Sequence, residues 1–229
     1  MGKITTFTPE EIRELEARPS DLIREKLVAM GGEAAGELFD GFVQTFQGVH
    51  DGYLTQCHYA ESALYKAVGA DKYEEAMYPY FYNANKAFVE GYWDLPFKQR
   101  AIIAINAPRV YHNCEMKLLG EDDKKLWFMM KVCGAGQMLW DNGLYAEGSG
   151  GALCSPHPIT AGGDNFPVYC CHAPLAEIVC SDLNTAYIYQ QDYPEQVGPC
   201  SCVFNVYKHI EDIPDSYFER IGRKRPVKK

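Results

Sequence analysis

The chain contains 229 residues, of which 47% are hydrophobic and 23% are charged, and its formal net charge is −9. A chain of this length buries a sizeable core without needing disulfides. The negative charge argues against nucleic acid as a partner, because phosphate backbones would be repelled. No stretch reaches the roughly 20 apolar residues of a membrane span. Nine cysteines without a secretory signal predict a reducing, cytoplasmic location, where clustered thiols serve as metal ligands or catalytic groups.

The residue pattern predicts a single domain of the α+β class, with a helical N-terminal two thirds packed on a C-terminal antiparallel sheet. Residues 1–142 have helical periodicity, and the first helix starts at a capping box formed by Thr8 and Glu11. Glycine and proline concentrate in 143–166, which predicts a long loop of the kind that often carries function. Residues 167–209 are expected to form antiparallel strands, and 210–229 a short helix and a basic tail.

Several boundaries can be predicted more closely. A helix interrupted by Pro79 is expected over 71–92, because proline breaks a helical interior. Two helices are expected around Pro108, followed by an apolar helix rich in Met and Trp. These three helices are expected over 97–106, 109–119 and 121–140. The strands are expected over 166–171, 177–180, 185–190 and 200–208.

The cysteines cluster in the C-terminal half, where six of the nine lie between Cys154 and Cys202. Thiolates together with imidazole suit zinc or iron. Cys154, His157, Cys200 and Cys202 are therefore the candidate ligands of a zinc or iron ion. On a strand, Cys200 and Cys202 would share one face, about 7 Å apart. The alternative is that these thiols pack in the core, since free cysteine is among the most buried residue types.

A second group supplies the components of nucleophilic catalysis within twelve residues. Cys171 and His172 are followed by Glu177 and Asp182, and a thiol activated by an imidazole that a carboxylate orients is a nucleophile arrangement. Neighbouring side chains diverge, so a thiol partner for His172 is expected from elsewhere in the chain. The candidates for that partner are Cys200, Cys202 and Cys154. The alternative is that His172 only caps a turn formed by Ala173 and Pro174.

A third group is predicted to lie on a helix face. Arg109 and His112 are spaced to share that face, with Glu115 or Met116, and would bind a small anionic substrate. The alternative is an ordinary polar stripe. Gln56-Cys57-His58 and His50-Asp51 are interpreted as polar residues of loops.

Three segments carry a family resemblance. They are 171–177 (Cys-His-Ala-Pro-Leu-Ala-Glu), 180–183 (Cys-Ser-Asp-Leu) and 198–204 (Gly-Pro-Cys-Ser-Cys-Val-Phe). In these segments the chain resembles the 2-aminothiazoline-carboxylate hydrolase family, whose members combine an N-terminal helical part with a strand-bearing C-terminal half. The resemblance implies hydrolytic opening of a small ring that contains sulfur and nitrogen. It also implies kinship with the vinyl-reductase-type ligand-binding domain, an α+β binder of small molecules or cofactors.

Three functions remain open at this point. The first is a small-molecule hydrolase or lyase that uses a Cys/His site, with or without a thiolate-held metal, on a substrate containing C–N or C–S bonds. The second is a non-catalytic sensor or carrier that binds a metal, haem or another cofactor. The third is an interaction protein whose cysteines are core residues. The aromatic run at 78–82 suits either a pocket or a homodimer interface.

Overall fold

The computed structural model describes residues 3–227 and confirms the α+β class with an antiparallel sheet. No helix within 3–227 is both long and apolar enough to cross a membrane. The helices are α1 (Pro9–Glu16), α2 (Pro19–Gly31), α3 (Glu33–Val89), α4 (Phe97–His112), α5 (Gly136–Asp141), α6 (His172–Asp182) and α7 (Asp215–Glu219). The strands are β1 (Met116–Glu121), β2 (Lys125–Met130), β3 (Leu153–Cys154), β4 (Phe166–Pro167), β5 (Gln190–Asp192) and β6 (Val203–Tyr207).

Four of the strands form one antiparallel sheet in the order β1-β2-β6-β5, and β3 pairs with β4 separately. Phe128 of β2 lies opposite Phe204 of β6, and their rings stack with centroids 5.0 Å apart. Helix α4 packs on this sheet through small and branched side chains such as Ala101 and Ile105, which are fully buried. A second core cluster lies between α3 and α6. Helix α6 therefore packs on the long helix α3 and connects the helical part of the fold to the region beside the sheet.

The predicted helices over 109–119 and 121–140 are correct only in part, because α4 covers 109–112 and α5 begins at Gly136, whereas β1 and β2 form between them. Helix α4 runs through Pro108 and ends at His112, where Asn113 adopts a left-handed conformation, and the chain then enters the hairpin β1-β2. Along β2 the burial alternates with period two, so Leu126 and Phe128 point into the core. A short apolar run fits a buried helix and a strand equally well, and the long-range pairing with β6 decides between them.

The predicted strands over 166–171 and 177–180 are also corrected. Only Phe166–Pro167 is a strand, and the following residues form a single 3₁₀ turn and then α6. Residues 174–180 of α6 are all buried, so the helix shows no polar stripe that would mark its period. The last strand begins at Val203, which leaves Cys200 and Cys202 in the preceding loop.

Helix α3 is longer than the sequence predicts, and its interruption lies at a different residue. The helix continues through Pro79, and its single break within the described residues lies at Gly69, whose φ of 76° is a conformation that glycine tolerates. His50, Asp51, Cys57 and His58 therefore lie on α3 and not in loops.

Candidate active site

Two adjoining cavities lie between α4, the start of α6 and the sheet. The first has a volume of about 140 Å³ and the second about 650 Å³, and both are lined by His112 and His172. We call them together the histidine cleft. Tyr169, Ala173 and Tyr189 also line both cavities, so the two lie side by side. The smaller cavity is lined in addition by the cysteines Cys133, Cys170, Cys200 and Cys202.

His172 is held by a carboxylate from a distant part of the chain. Its Nε2 lies 2.8 Å from Oε1 of Glu61 on α3, and the Tyr73 hydroxyl donates to Oε2 of the same carboxylate at 3.3 Å. The imidazole also packs against the rings of Phe81 and Tyr169, with centroids 5.2 and 4.4 Å away. Glu61 is nearly buried, so its charge acts in surroundings of low dielectric constant.

His112 is connected to a second carboxylate through another histidine. Its Nδ1 lies 2.9 Å from Nε2 of His50, and Nδ1 of His50 lies 2.8 Å from Oδ1 of Asp51. Gln47 donates to the same oxygen of Asp51 at 2.7 Å. Burial, helped by the charges of His50 and His172, lowers the pKa of His112 to about 4. His112 is therefore neutral near pH 7.

The thiols divide between the cleft and the core. Cys170 lines the cleft, whereas Cys171 is fully buried with its Sγ 3.9 Å from Sγ of Cys154. Burial raises the pKa of Cys170 well above its usual range and that of Cys202 to about 12. These thiols are protonated near neutral pH, so a nucleophilic role would need a neighbouring base.

The four predicted metal ligands are not brought together. Cys154 contacts Cys171 in the core, and His157 Nε2 lies 2.9 Å from Oδ1 of Asp71. Cys200 and Cys202 line the histidine cleft instead. Among residues 3–227, no group of three or more His, Cys, Asp or Glu side chains is arranged to hold a metal ion. Zinc or iron binding therefore stays a prediction from composition.

The predicted catalytic carboxylates Glu177 and Asp182 do not contact His172. Both oxygens of Glu177 accept from Arg220 at 2.9 Å, and both oxygens of Asp182 accept from Arg223 at 2.7 and 3.1 Å. We call these two pairs the C-terminal clip, because they fasten the end of the chain to α6. Residues five and ten positions along a helix from His172 lie too far from its ring to orient it.

Arg109 lies outside the cleft and has a structural role. Its Nε donates to the carbonyl of Ala17 at 2.8 Å, and one terminal nitrogen donates to the carbonyl of Glu14 at 2.7 Å. The other terminal nitrogen donates to the side chain of Asn106 at 2.7 Å. The guanidinium therefore fastens α1 to α4, and the predicted helix face ends at His112 because β1 follows it.

Glu61, His50 and Asp51 were missed by the sequence reasoning. One signal was available: His58, Glu61, Ser62 and Tyr65 follow the i, i+3, i+4, i+7 spacing of a buried helix face, and yet all are polar or ionisable. A polar stripe at the spacing expected of apolar residues indicates a buried polar site.

Comparisons with known proteins do not supply a function. No family model, no curated protein and no solved structure matches the chain. The motif segments that carry the resemblance noted above lie in α6 and in the loop that leads into β6. The function is consequently argued from the geometry of the histidine cleft.

Proposed function

We propose that this protein is a small-molecule hydrolase or lyase whose general base is His172 and whose second acid–base group is His112. The observation that carries the proposal is that two imidazoles, each linked by hydrogen bonds to a carboxylate, line one cleft. Histidine is the residue most often used for proton transfer in enzymes, and a carboxylate behind it fixes its tautomer.

The contact with Glu61 defines which nitrogen of His172 acts. An ionised Glu61 accepts from Nε2–H, so the lone pair of the neutral ring lies on Nδ1. The contact with Glu61 occupies Nε2, so Nδ1 is the ring nitrogen that is left for proton transfer. This nitrogen takes a proton from the attacking nucleophile, while Glu61 stabilises the imidazolium that results.

His112 donates a proton to the leaving group of the substrate. When His50 carries both of its protons, it donates one to Nδ1 of His112, and Nε2–H of His112 is then a donor. Loss of this proton to a leaving nitrogen or sulfur is balanced by transfer of a proton from His50 to Nδ1. Asp51 stabilises His50 while it is charged. Because His50 supplies the replacement proton, His112 can act as an acid although its own pKa is low.

The nucleophile is a water molecule or the thiol of Cys170. Burial keeps this thiol protonated near neutral pH, so it needs the base that His172 provides. In either case the nucleophile adds to an electrophilic carbon, and a C–N or C–S bond of the substrate then breaks as the leaving atom is protonated. If the thiol attacks, water then adds to the same carbon and the new bond to the sulfur of Cys170 breaks. The proton of this water passes through His172 to the departing sulfur, which restores the thiol. Hydrolytic opening of a small ring containing sulfur and nitrogen, the reaction that the resemblance implies, belongs to this class.

The proposal is tested with an activated ester, p-nitrophenyl acetate, which reports on any base-assisted acyl transfer. His172→Gln should reduce the catalysed rate by about a hundredfold, since a positioned base contributes about 10²–10⁴. His209→Gln is the matched control, because His209 is exposed and does not line the cleft. Equal rates for the wild type and His172→Gln would contradict the proposal.

A second variant identifies the nucleophile. If Cys170 attacks the ester, an acetyl group remains on the protein, and Cys170→Ala abolishes both this adduct and the initial burst of p-nitrophenol. If water attacks, Cys170→Ala retains turnover and no acetylated protein is found by mass spectrometry.

A further inference from the structure

The histidine cleft has an uneven charge environment. Within residues 3–227, no Lys, Arg, Asp or Glu lines either of its two cavities. The carboxylate of Glu61 lies one hydrogen bond behind His172, whereas that of Asp51 lies two hydrogen bonds behind His112, with His50 between them. Arg109, the cation expected to receive an anionic substrate, donates instead to Ala17, Glu14 and Asn106.

The walls of the cleft are aromatic. Tyr169 and Tyr189 line both cavities, and Tyr187, Tyr80 and Tyr111 line the larger one. The face of an aromatic ring carries negative electrostatic potential and attracts organic cations by about 0.5–2 kcal/mol for each well-placed contact. Such walls add to the negative field of Glu61.

The negative charge of Glu61 affects the ionisation of residues that line the cleft. Burial is the main reason that the pKa values of Tyr169 and Cys170 are raised, and the negative charge of Glu61 raises both further. A group that opposes ionisation of neighbouring hydroxyls and thiols to anions also favours a positive charge placed beside them.

We propose that the histidine cleft binds a small organic cation, such as a protonated amine or an amidinium, and rejects organic anions of the same shape. This inference rests on the proposed function for the statement that the cleft is where substrate binds. A neutral His172, as the base must be before reaction, leaves the charge of Glu61 uncompensated and available to the ligand. The larger cavity, with a volume of about 650 Å³, has room for a ligand of the size of one or two rings.

The experiment uses three probes with the same phenyl ring and different charge: benzamidine, benzamide and benzoate. Isothermal titration calorimetry on the full chain measures their dissociation constants at neutral pH. Benzamidine should bind about tenfold or more tightly than benzoate, which corresponds to the free energy of one favourable cation–π contact or charge pair. Benzamide should lie between them.

Glu61→Gln should bring the dissociation constants of benzamidine and benzamide to within about threefold of each other, because the charge is removed while the side chain keeps its size. Asp71→Asn is the matched control: it also removes a carboxylate that contacts a histidine, but this pair does not line the cleft, so the preference for benzamidine should be unchanged.

Tyr111→Leu tests the aromatic wall at an exposed position of the lining, where folding tolerates the change. This variant should weaken the binding of benzamidine more than that of benzamide.

Three results would overturn the inference: no saturable binding of benzamidine, equal affinity for benzamidine and benzoate, or the same preference for benzamidine in Glu61→Gln. Binding is measured without turnover, so the outcomes separate from those of the ester assay. If benzamidine binds selectively but His172→Gln hydrolyses the ester as fast as the wild type, the cation site is supported and only the catalytic proposal is rejected. Hydrolysis that depends on His172 with no preference for benzamidine rejects only the cation site.

Discussion

The C-terminal clip and the histidine cleft both contain buried or nearly buried carboxylates, but they use them differently. In the clip, Glu177 has both oxygens occupied by Arg220, and this guanidinium donates in addition to the carbonyl of Gln191. In the cleft, Glu61 contacts one nitrogen of His172, and in the proposed function the other nitrogen acts on the substrate. A fully paired carboxylate fastens the fold, whereas a carboxylate behind an imidazole prepares a group for chemistry.

The largest expected effect is at the buried end of the clip. Glu177→Gln removes the counter-charge of Arg220 and leaves a buried cation unpaired, so the free energy of unfolding should fall by about 3–5 kcal/mol. Urea denaturation monitored by circular dichroism measures this change. A loss below about 1 kcal/mol would mean that the pair does not fasten the chain end, and the contrast with the cleft would disappear.

The next effect concerns the dependence of stability on pH. His112 has a pKa near 6.5 in the unfolded chain and about 4 in the folded protein, so between these values the unfolded chain binds the proton. The free energy of unfolding should therefore fall as the pH is lowered from about 6.5 to 4, by up to about 3 kcal/mol from this group. Comparison of the wild type with His112→Gln over this range isolates the contribution. Parallel stability curves would show that the protonation of His112 is not coupled to folding.

A smaller effect on stability is expected for Glu61→Gln. The amide oxygen of Gln still accepts from His172 and Tyr73, so the free energy of unfolding should fall by only about 1 kcal/mol, the size of one altered hydrogen bond. The rate of ester hydrolysis should nevertheless fall, because the imidazolium loses its stabilising charge. If stability falls as far as in Glu177→Gln, Glu61 belongs with the structural carboxylates.

The smallest effect is expected at the open end of the clip. Asp182 and Arg223 are each about one third exposed, and pairs of this kind contribute about 0–1 kcal/mol because solvent screens them. Asp182→Asn should therefore change the urea midpoint little and leave the ester assay unchanged. A large loss of activity would show that Asp182, one of the predicted catalytic carboxylates, acts on the cleft after all.

The class of the fold could be predicted because it depends on composition and local pattern, and the details that failed depend on distant contacts. The capping box at Thr8 and Glu11 forms as predicted, since both members lie within one turn. The strand β2 was mistaken for part of a helix, because its partners are β1 and, much further along the chain, β6. Helix α6 was mistaken for a strand because burial on all sides removes the amphipathic signal.

For the site, the sequence singled out His172 and His112, and both line the cleft. Their partners could not be found from local spacing. Glu61 is 111 positions from His172, and His50 is 62 positions from His112. The carboxylates close to His172 in sequence are turned away by the helix that carries them, and they meet arginines of the chain end instead. Proximity in sequence was thus a poor guide to catalytic partnership here.

The long helix α3 carries Asp51 and Glu61 on the same rigid segment, before its break at Gly69. The imidazoles of His112 and His172, by contrast, belong to α4 and α6. Because the two carboxylates lie roughly 15 Å apart along one helix axis, they cannot move independently. A displacement of this helix by a fraction of one turn would therefore loosen the contacts of His50 and His172 with these carboxylates together. Under the proposed function, this helix would be a common control element, because the partners of both imidazoles move with it.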